Sequence, residues 1–234
     1  MAVTLYLARH AEAANPKNIL YGRLPRVDLS TSGRDQAGVL AGAMAELRLD
    51  AIYHSPLLRA RRTANIIAAQ LPGVPLRLSS LLLENLHPYQ GRPNAEVAKL
   101  GDRAYDADVL GTEGETIQHL CDRMARFLKL VARSHPDGIV AAVSHADPLA
   151  ALRVHLLGLE MTVASMRKEA PPLASVFRVD LTDGGYARLD WFWKPPAPPA
   201  EKATTSKNGS SDVPEPVVEQ EPDAADNTPV EQVS

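Results

Sequence analysis

Short apolar, β-rich runs alternate with longer segments of helical period along residues 1–194, and few architectures accept that pattern. Val3–Ala8 reads as a first strand. Thr31-Ser32-Gly33 offers a helix cap, after which Ala37, Leu40, Ala41, Met44 and Leu47 recur at helical spacing. Ala51–His54 reads as a second strand. Ser55-Pro56 follows as an N-cap with proline at the first helical position, and the helix runs through Arg59 to about Leu71. Gly114-Glu115-Thr116 opens a further helix whose apolar face is Ile117, Leu120, Cys121, Met124, Leu128 and Val131. Gly138–Val143 has the form of a buried strand, and Pro148 opens a helix ending near Gly158. Ala174–Leu181 and Tyr186–Trp193 flank Thr182-Asp183-Gly184-Gly185 as a hairpin. The expected fold is α/β, a three-layer sandwich with a mostly parallel central sheet flanked by helices.

The pattern stops near residue 194. Residues 195–234 hold eight prolines, eight acidic residues, two lysines and no aromatic residue. They carry −6, which leaves +3 on residues 1–194 of a chain whose formal charge is −3. Such a segment cannot offset the entropy of ordering, so it reads as a disordered acidic Pro-rich tail, passive or a tether for a protein partner. The mild acidic balance gives no footprint for nucleic acid. The longest apolar runs, such as Ile139–Val143, are too short to cross a bilayer, so no membrane association is expected. The opening residues make a poor signal peptide, because the apolar run stops at Arg9-His10. A single cysteine, Cys121, excludes an internal disulfide framework and favours a reducing, cytoplasmic location.

In open α/β sheets the site lies past the carboxyl ends of the strands. Here the first strand ends in Arg9-His10-Ala11-Glu12. The second ends in His54-Ser55, with Arg59 one turn into the next helix, and the buried strand ends in Ser144-His145-Ala146-Asp147. Two histidines and two arginines can therefore meet in one cleft. Guanidinium forks match phosphate oxygens, and a neutral imidazole among them suits nucleophilic phosphoryl transfer. His10, Glu12, His145 and Asp147 are also metal-ligand types, but Arg9 and Arg59 would repel a cation beside them, so neither metal nor cofactor is expected. Asp147 reads as the cap of the helix opened by Pro148.

These residues resemble the histidine phosphatase superfamily, also called phosphoglycerate mutase-like. Arg9-His10-Ala11 is similar to its Arg-His-Gly motif, and Ser144-His145-Ala146 to its later Ser-His-Gly motif. Between them, Ser55–Ala64 matches the segment that carries the family's phosphate-binding arginine. Asp28-Leu29-Ser30 with Gly33 and Gln36-Ala37, and Gly114-Glu115-Thr116, also fit in order. The resemblance spans about residues 3–160, and makes residues 1–194 a histidine phosphatase domain. It implies His10 as the phosphorylated nucleophile, with Arg9, Arg59 and His145 holding the phosphoryl group. Glu84 stands where the family often places its proton donor, and Arg23 is a further candidate to touch the substrate. His87 is a candidate accessory to Glu84, and Asn15 and Asn18 are offset candidates for a family asparagine. Alanine replaces the glycine of both motifs, at Ala11 and Ala146, which would cost about 1 kcal/mol wherever φ > 0 is needed.

The implied activity is a metal-independent phosphomonoesterase that cleaves a small phosphate ester through phosphohistidine. A phosphoglycerate-mutase-type phosphomutase and a non-catalytic phosphate-binding scaffold are the alternatives. Only 30 residues separate Glu84 from Gly114, where the family's mutases carry a longer insertion, and this leans toward hydrolysis.

Overall fold

The computed structural model describes residues 2–182 and 185–196. The tail assigned to residues 195–234 lies outside the described residues from 197 onward. Six strands, β1 (Ala2–Arg9), β2 (Ala51–His54), β3 (Leu76–Leu78), β4 (Ile139–Ser144), β5 (Val176–Thr182) and β6 (Gly185–Trp193), form one sheet in the order β3-β2-β4-β1-β5-β6. The first four are mutually parallel, and β5 and β6 add an antiparallel edge.

Helices cover both faces, which is why the central strands read as continuous apolar runs rather than alternating ones. Helices α1 (Thr31–Met44) and α2 (Leu58–Ala69) pack Leu40, Met44 and Ile67 onto Tyr6, Ile52 and Val143. On the opposite face, α5 (Ile117–Ser134) and α6 (Ala146–Leu156) pack Met124, Phe127, Leu149 and Leu152 onto Leu5, Leu7, Tyr53 and Ala142. Two short helices, α3 (Asn94–Ala98) and α4 (Ala107–Leu110), lie in the long connection between β3 and α5, and α7 (Val163–Glu169) follows α6. No helix among the described residues is long and apolar enough to cross a membrane.

Several boundaries differ from the sequence expectation, each for a local reason. Ser30 rather than Thr31 caps α1, its hydroxyl accepting from the Gly33 N–H at 2.8 Å. Helix α2 starts at Leu58 with Leu57 as its N-cap, because the Ser55 hydroxyl accepts from the Leu57 N–H at 3.3 Å, ahead of the first turn, and also contacts His145 Nε2 at 2.8 Å. Helix α6 starts at Ala146 with His145 as its N-cap, so Asp147 sits inside the first turn and caps nothing. Phe127 joins the fully buried face of α5, while Leu128 is only half-buried. Strand β3 carries no readable pattern because its three residues are exposed at the sheet edge.

One glycine ties the fold to the loop after β1. A Cβ on Gly33 would stand 1.9 Å from the Glu12 carbonyl oxygen, which already accepts from the Ser30 N–H at 3.0 Å. Gly33→Ala is therefore expected to destabilise the protein by about 3 kcal/mol, since backbone rather than a flexible side chain must yield. Urea denaturation checks this; an unchanged midpoint would show that the loop relaxes freely.

Candidate active site

The parallel register places the site. Arg9 pairs with Ser144 across β1 and β4, so His10 and His145 leave the sheet side by side. His54 pairs with Val143, which brings Ser55 and the start of α2 to the same edge. The His10 and His145 rings lie 5.0 Å apart, centroid to centroid. Arg59, wholly buried, reaches back from α2 and donates from Nε to His10 Nε2 at 3.2 Å. Its Nη2 donates to the Gly22 carbonyl at 2.7 Å, and its guanidinium stacks on the Tyr21 ring at 4.6 Å. Gly22 holds φ +39°, a left-handed conformation that glycine adopts without a Cβ penalty.

The two alanines that replace motif glycines are unstrained, because neither Ala11 nor Ala146 has positive φ. The Ala11 carbonyl instead has a chemical use. It accepts from His10 Nδ1 at 2.7 Å, which assigns the ring proton to Nδ1 and leaves the lone pair on Nε2. Burial holds the His10 pKa well below the usual imidazole value, with Arg59 and then Arg9 adding to the shift against the opposing Ala11 bond. His145 is also held low, first by burial and then by Arg59 and His10. Its Nε2 lies 2.8 Å from the Ser55 hydroxyl.

Glu84 arrives from the loop after β3. Its Oε1 accepts from the Asn85 N–H at 2.9 Å and from the Asp147 N–H at 3.4 Å. Burial, followed by the neighbouring Asp147 charge, raises its pKa to about 7, against the pull of Arg59, the Asn85 N–H and Arg9. The Asp147 carboxylate accepts from the Tyr105 hydroxyl at 2.6 Å. Above these groups opens a cleft of about 470 Å³, whose lining includes Arg9, Tyr21, Glu84, Asn85, Tyr105 and Asp147.

Four buried side-chain polar atoms among the described residues lack a partner: Arg9 Nε, Arg59 Nη1, His145 Nδ1 and Asn85 Oδ1. All belong to the residues just described. Buried polar groups are normally satisfied, so a cluster of orphans, three of them nitrogens, marks a place built for an anionic guest.

The structure thus brings together five of the six expected site residues, His10, Arg9, Arg59, His145 and Glu84. Arg23 departs from expectation. Its guanidinium is engaged by protein groups, Nη2 pairing with Glu115 at 2.6 Å and Nε donating to the Glu84 carbonyl at 2.7 Å. Arg123 shares the same Glu115 and donates to the Leu81 and Leu83 carbonyls, so both arginines brace the loop that presents Glu84. His87 lines the cleft with both ring nitrogens engaged, by the Ala104 carbonyl and the Tyr89 N–H. Asn15 clasps the Ile19 backbone and Asn18 accepts from Asn94, and neither lines the cleft. Glu12 turns to the Ser30 hydroxyl at 2.6 Å, away from any shared site with His10. Sequence reasoning missed Tyr21 and Asn85, which stand in loops without periodicity, and Tyr105, which ends a short 3-10 helix, and it misassigned Asp147.

The model of the histidine phosphatase superfamily (branch 1) matches residues 5–194. The chain belongs to this superfamily. An uncharacterised Mycobacterium tuberculosis protein, Rv0525, is 30% identical over 202 residues, covering 82% of this chain and 96% of that one. Phosphoserine phosphatase 1 of Hydrogenobacter thermophilus is 31% identical over 170 residues, covering 68% and 79%. Among solved structures, mycobacterial glucosyl-3-phosphoglycerate phosphatase Rv2419c superposes with a TM-score of 0.68 at 25% identity, covering 82% of this chain and 97% of that one. The sheet order and covering helices described above are those of a phosphoglycerate mutase-like fold. This histidine phosphatase is accordingly an enzyme of phosphatase type, acting on phosphate esters.

Proposed function

We propose that this histidine phosphatase is a metal-independent phosphomonoesterase that cleaves a small phosphate ester through a phosphohistidine on His10. The observation that carries the reading is the orphaned set Arg9 Nε, Arg59 Nη1 and His145 Nδ1 around an imidazole that keeps its lone pair on Nε2, where only the 3.2 Å contact from Arg59 Nε must yield to phosphorus. These are the donors that a phosphoryl group's equatorial oxygens require. For His145 to donate from Nδ1, the Ser55 hydroxyl donates to its Nε2, which the 2.8 Å contact permits.

In the first step His10 Nε2 forms a bond to phosphorus as the ester P–O bond breaks. The protonated Glu84 carboxyl gives its proton to the leaving oxygen, a role its raised pKa of about 7 supports. In the second step the Glu84 carboxylate takes a proton from water, the water oxygen bonds to phosphorus, and the N–P bond breaks. Phosphate leaves and both side chains return to their starting states. Arg9 and Arg59 neutralise charge on the equatorial oxygens, the work a divalent cation does in other phosphoryl-transfer sites. The phosphatase names of the two relatives described above support water, rather than a second substrate hydroxyl, as the acceptor, against relatives named as phosphoglycerate mutases.

The expected result is steady release of phosphate from p-nitrophenyl phosphate in the presence of excess chelator. Loss of that turnover on chelation, regained with added metal, would overturn the metal-independent reading. Interconversion of 3-phosphoglycerate with its 2-isomer, without phosphate release, would assign a mutase instead.

A further inference from the structure

Beyond the phosphoryl-binding groups, the cleft has an uneven chemistry. Part of its lining is apolar, made by Ile19, Leu20, Val97, Val163 and Met166. The lining also holds two acidic residues, Glu84 and Asp147, and the Asp147 backbone N–H donates to Glu84 Oε1 at 3.4 Å. Among the described residues, the cations lining this space are Arg9 and Arg167. Arg9 belongs to the phosphoryl subsite and already donates from Nη1 to the Pro171 carbonyl at 2.7 Å. The Arg167 guanidinium, on the exposed rim, is paired with Asp102 at 3.0 Å and donates to the Gly101 carbonyl at 2.8 Å. His87, the remaining basic ring in the lining, has both nitrogens engaged.

Resting on the phosphomonoesterase reading above, we infer that the leaving group this cleft takes is an uncharged, largely apolar alcohol, and that Asp147 is the residue that turns away esters bearing a carboxylate. An ester carboxylate entering here finds no buried cation outside the phosphoryl subsite, Arg167 being exposed and paired with Asp102, and meets the Asp147 charge in a partly desolvated space, where like charges repel strongly. Asp147 cannot turn aside, because the Tyr105 hydroxyl holds its Oδ2 at 2.6 Å from a ring that is itself packed against His87. Burial and Asp147 keep the Tyr105 proton in place, so the hydroxyl remains the donor. An apolar alcohol instead covers the aliphatic wall and gains from removing it from water. A cleft of about 470 Å³ holds a leaving group of phenylpropyl size. The orphaned Asn85 Oδ1 would accept from one hydroxyl on such a group. Two relatives are named for esters that carry a carboxylate, phosphoserine and glucosyl-3-phosphoglycerate, so the inference separates this chain's substrate from the ones in those names.

The test compares two primary alkyl esters, 3-phenylpropyl phosphate and 3-phosphoglycerate, by phosphate release from the full chain. In the unmodified protein kcat/KM is expected to favour the phenylpropyl ester by at least about tenfold. Asp147→Asn keeps an acceptor for Tyr105 and is expected to narrow that ratio at least about threefold; the ratio cancels any effect on Glu84 shared by both substrates. Val97→Lys, at a half-buried position of a short helix, places a cation in the apolar part of the lining and is expected to narrow it in the same direction. A preference below tenfold, or a ratio unmoved by both variants, overturns the inference while leaving the phosphatase reading in place. No hydrolysis of either ester or of p-nitrophenyl phosphate overturns both.

Discussion

His10→Ala is expected to lower kcat/KM by about 10⁴-fold or more and to abolish the acid-labile phosphoryl label that the unmodified protein acquires from substrate. The size of the effect follows from geometry. The Nε2 lone pair is the nucleophile in the proposed reaction, and no second imidazole can replace it. His145, the nearest ring, directs its Nε2 at Ser55 and leaves only Nδ1 for the site. The substitution also deprives Arg59 Nε of its acceptor at 3.2 Å, so circular dichroism and a denaturation midpoint should accompany the assay. Quench-flow labelling with a radioactive phosphate ester reads the intermediate directly. A label of undiminished amount in His10→Ala would remove His10 as the nucleophile.

Glu84→Gln should show a loss that depends on the leaving group. An alkyl ester needs its oxygen protonated as the P–O bond breaks, so its turnover should fall about 10²- to 10⁴-fold. The p-nitrophenolate ion leaves without a proton, so formation of the phosphoenzyme from p-nitrophenyl phosphate should fall far less, and the label should accumulate as water attack slows. Equal losses on both esters would assign Glu84 a purely structural role. The pH profile follows from the same charges. Glu84 must be protonated at the start, so kcat/KM declines as pH rises through about 7. His10 must be neutral, and its lowered pKa keeps it so to well below the usual imidazole range. The free enzyme is therefore most active on the acid side of neutrality.

The same carboxyl group weakens the fold at high pH. Its folded pKa of about 7 stands above the ordinary 4.5, so the folded state binds that proton more tightly than the unfolded state does. Stability from this group is complete below pH 4.5 and is lost as pH rises through about 7. At pH 8 the loss approaches about 3 kcal/mol. Glu84→Gln removes it and is expected to raise Tm at pH 8 by several degrees while changing little at pH 5. Activity and stability thus oppose each other at this position, because the burial that raises the pKa also makes the ionised form costly.

Periodicity and residue type were enough to place the parallel sheet, the helices on both its faces, and the strand ends carrying Arg9, His10, Ser55 and His145. That information is local. Apolar runs without alternation imply burial on both faces, and burial on both faces of parallel strands requires crossover helices. Parallel strands in turn carry their carboxyl ends to one edge, so the meeting of His10, Arg59 and His145 was implicit in the alternation itself. The tautomer of His10, the bracing of the Glu84 loop by Arg23, Glu115 and Arg123, and the facing of Asp147 onto Glu84 were not readable in this way. The tautomer turns on how the backbone bends at Ala11, and the other two depend on loops at residues 13–30 and 80–116, whose course is set by contacts between segments far apart along the chain. Arg23 shows the difference: in the sequence it is a candidate to touch the substrate, and its actual partner, Glu115, is 92 residues away. Asp147 shows it again, since the same residue type serves as a cap or as a second carboxyl group, and only the neighbour that long-range packing supplies distinguishes the two.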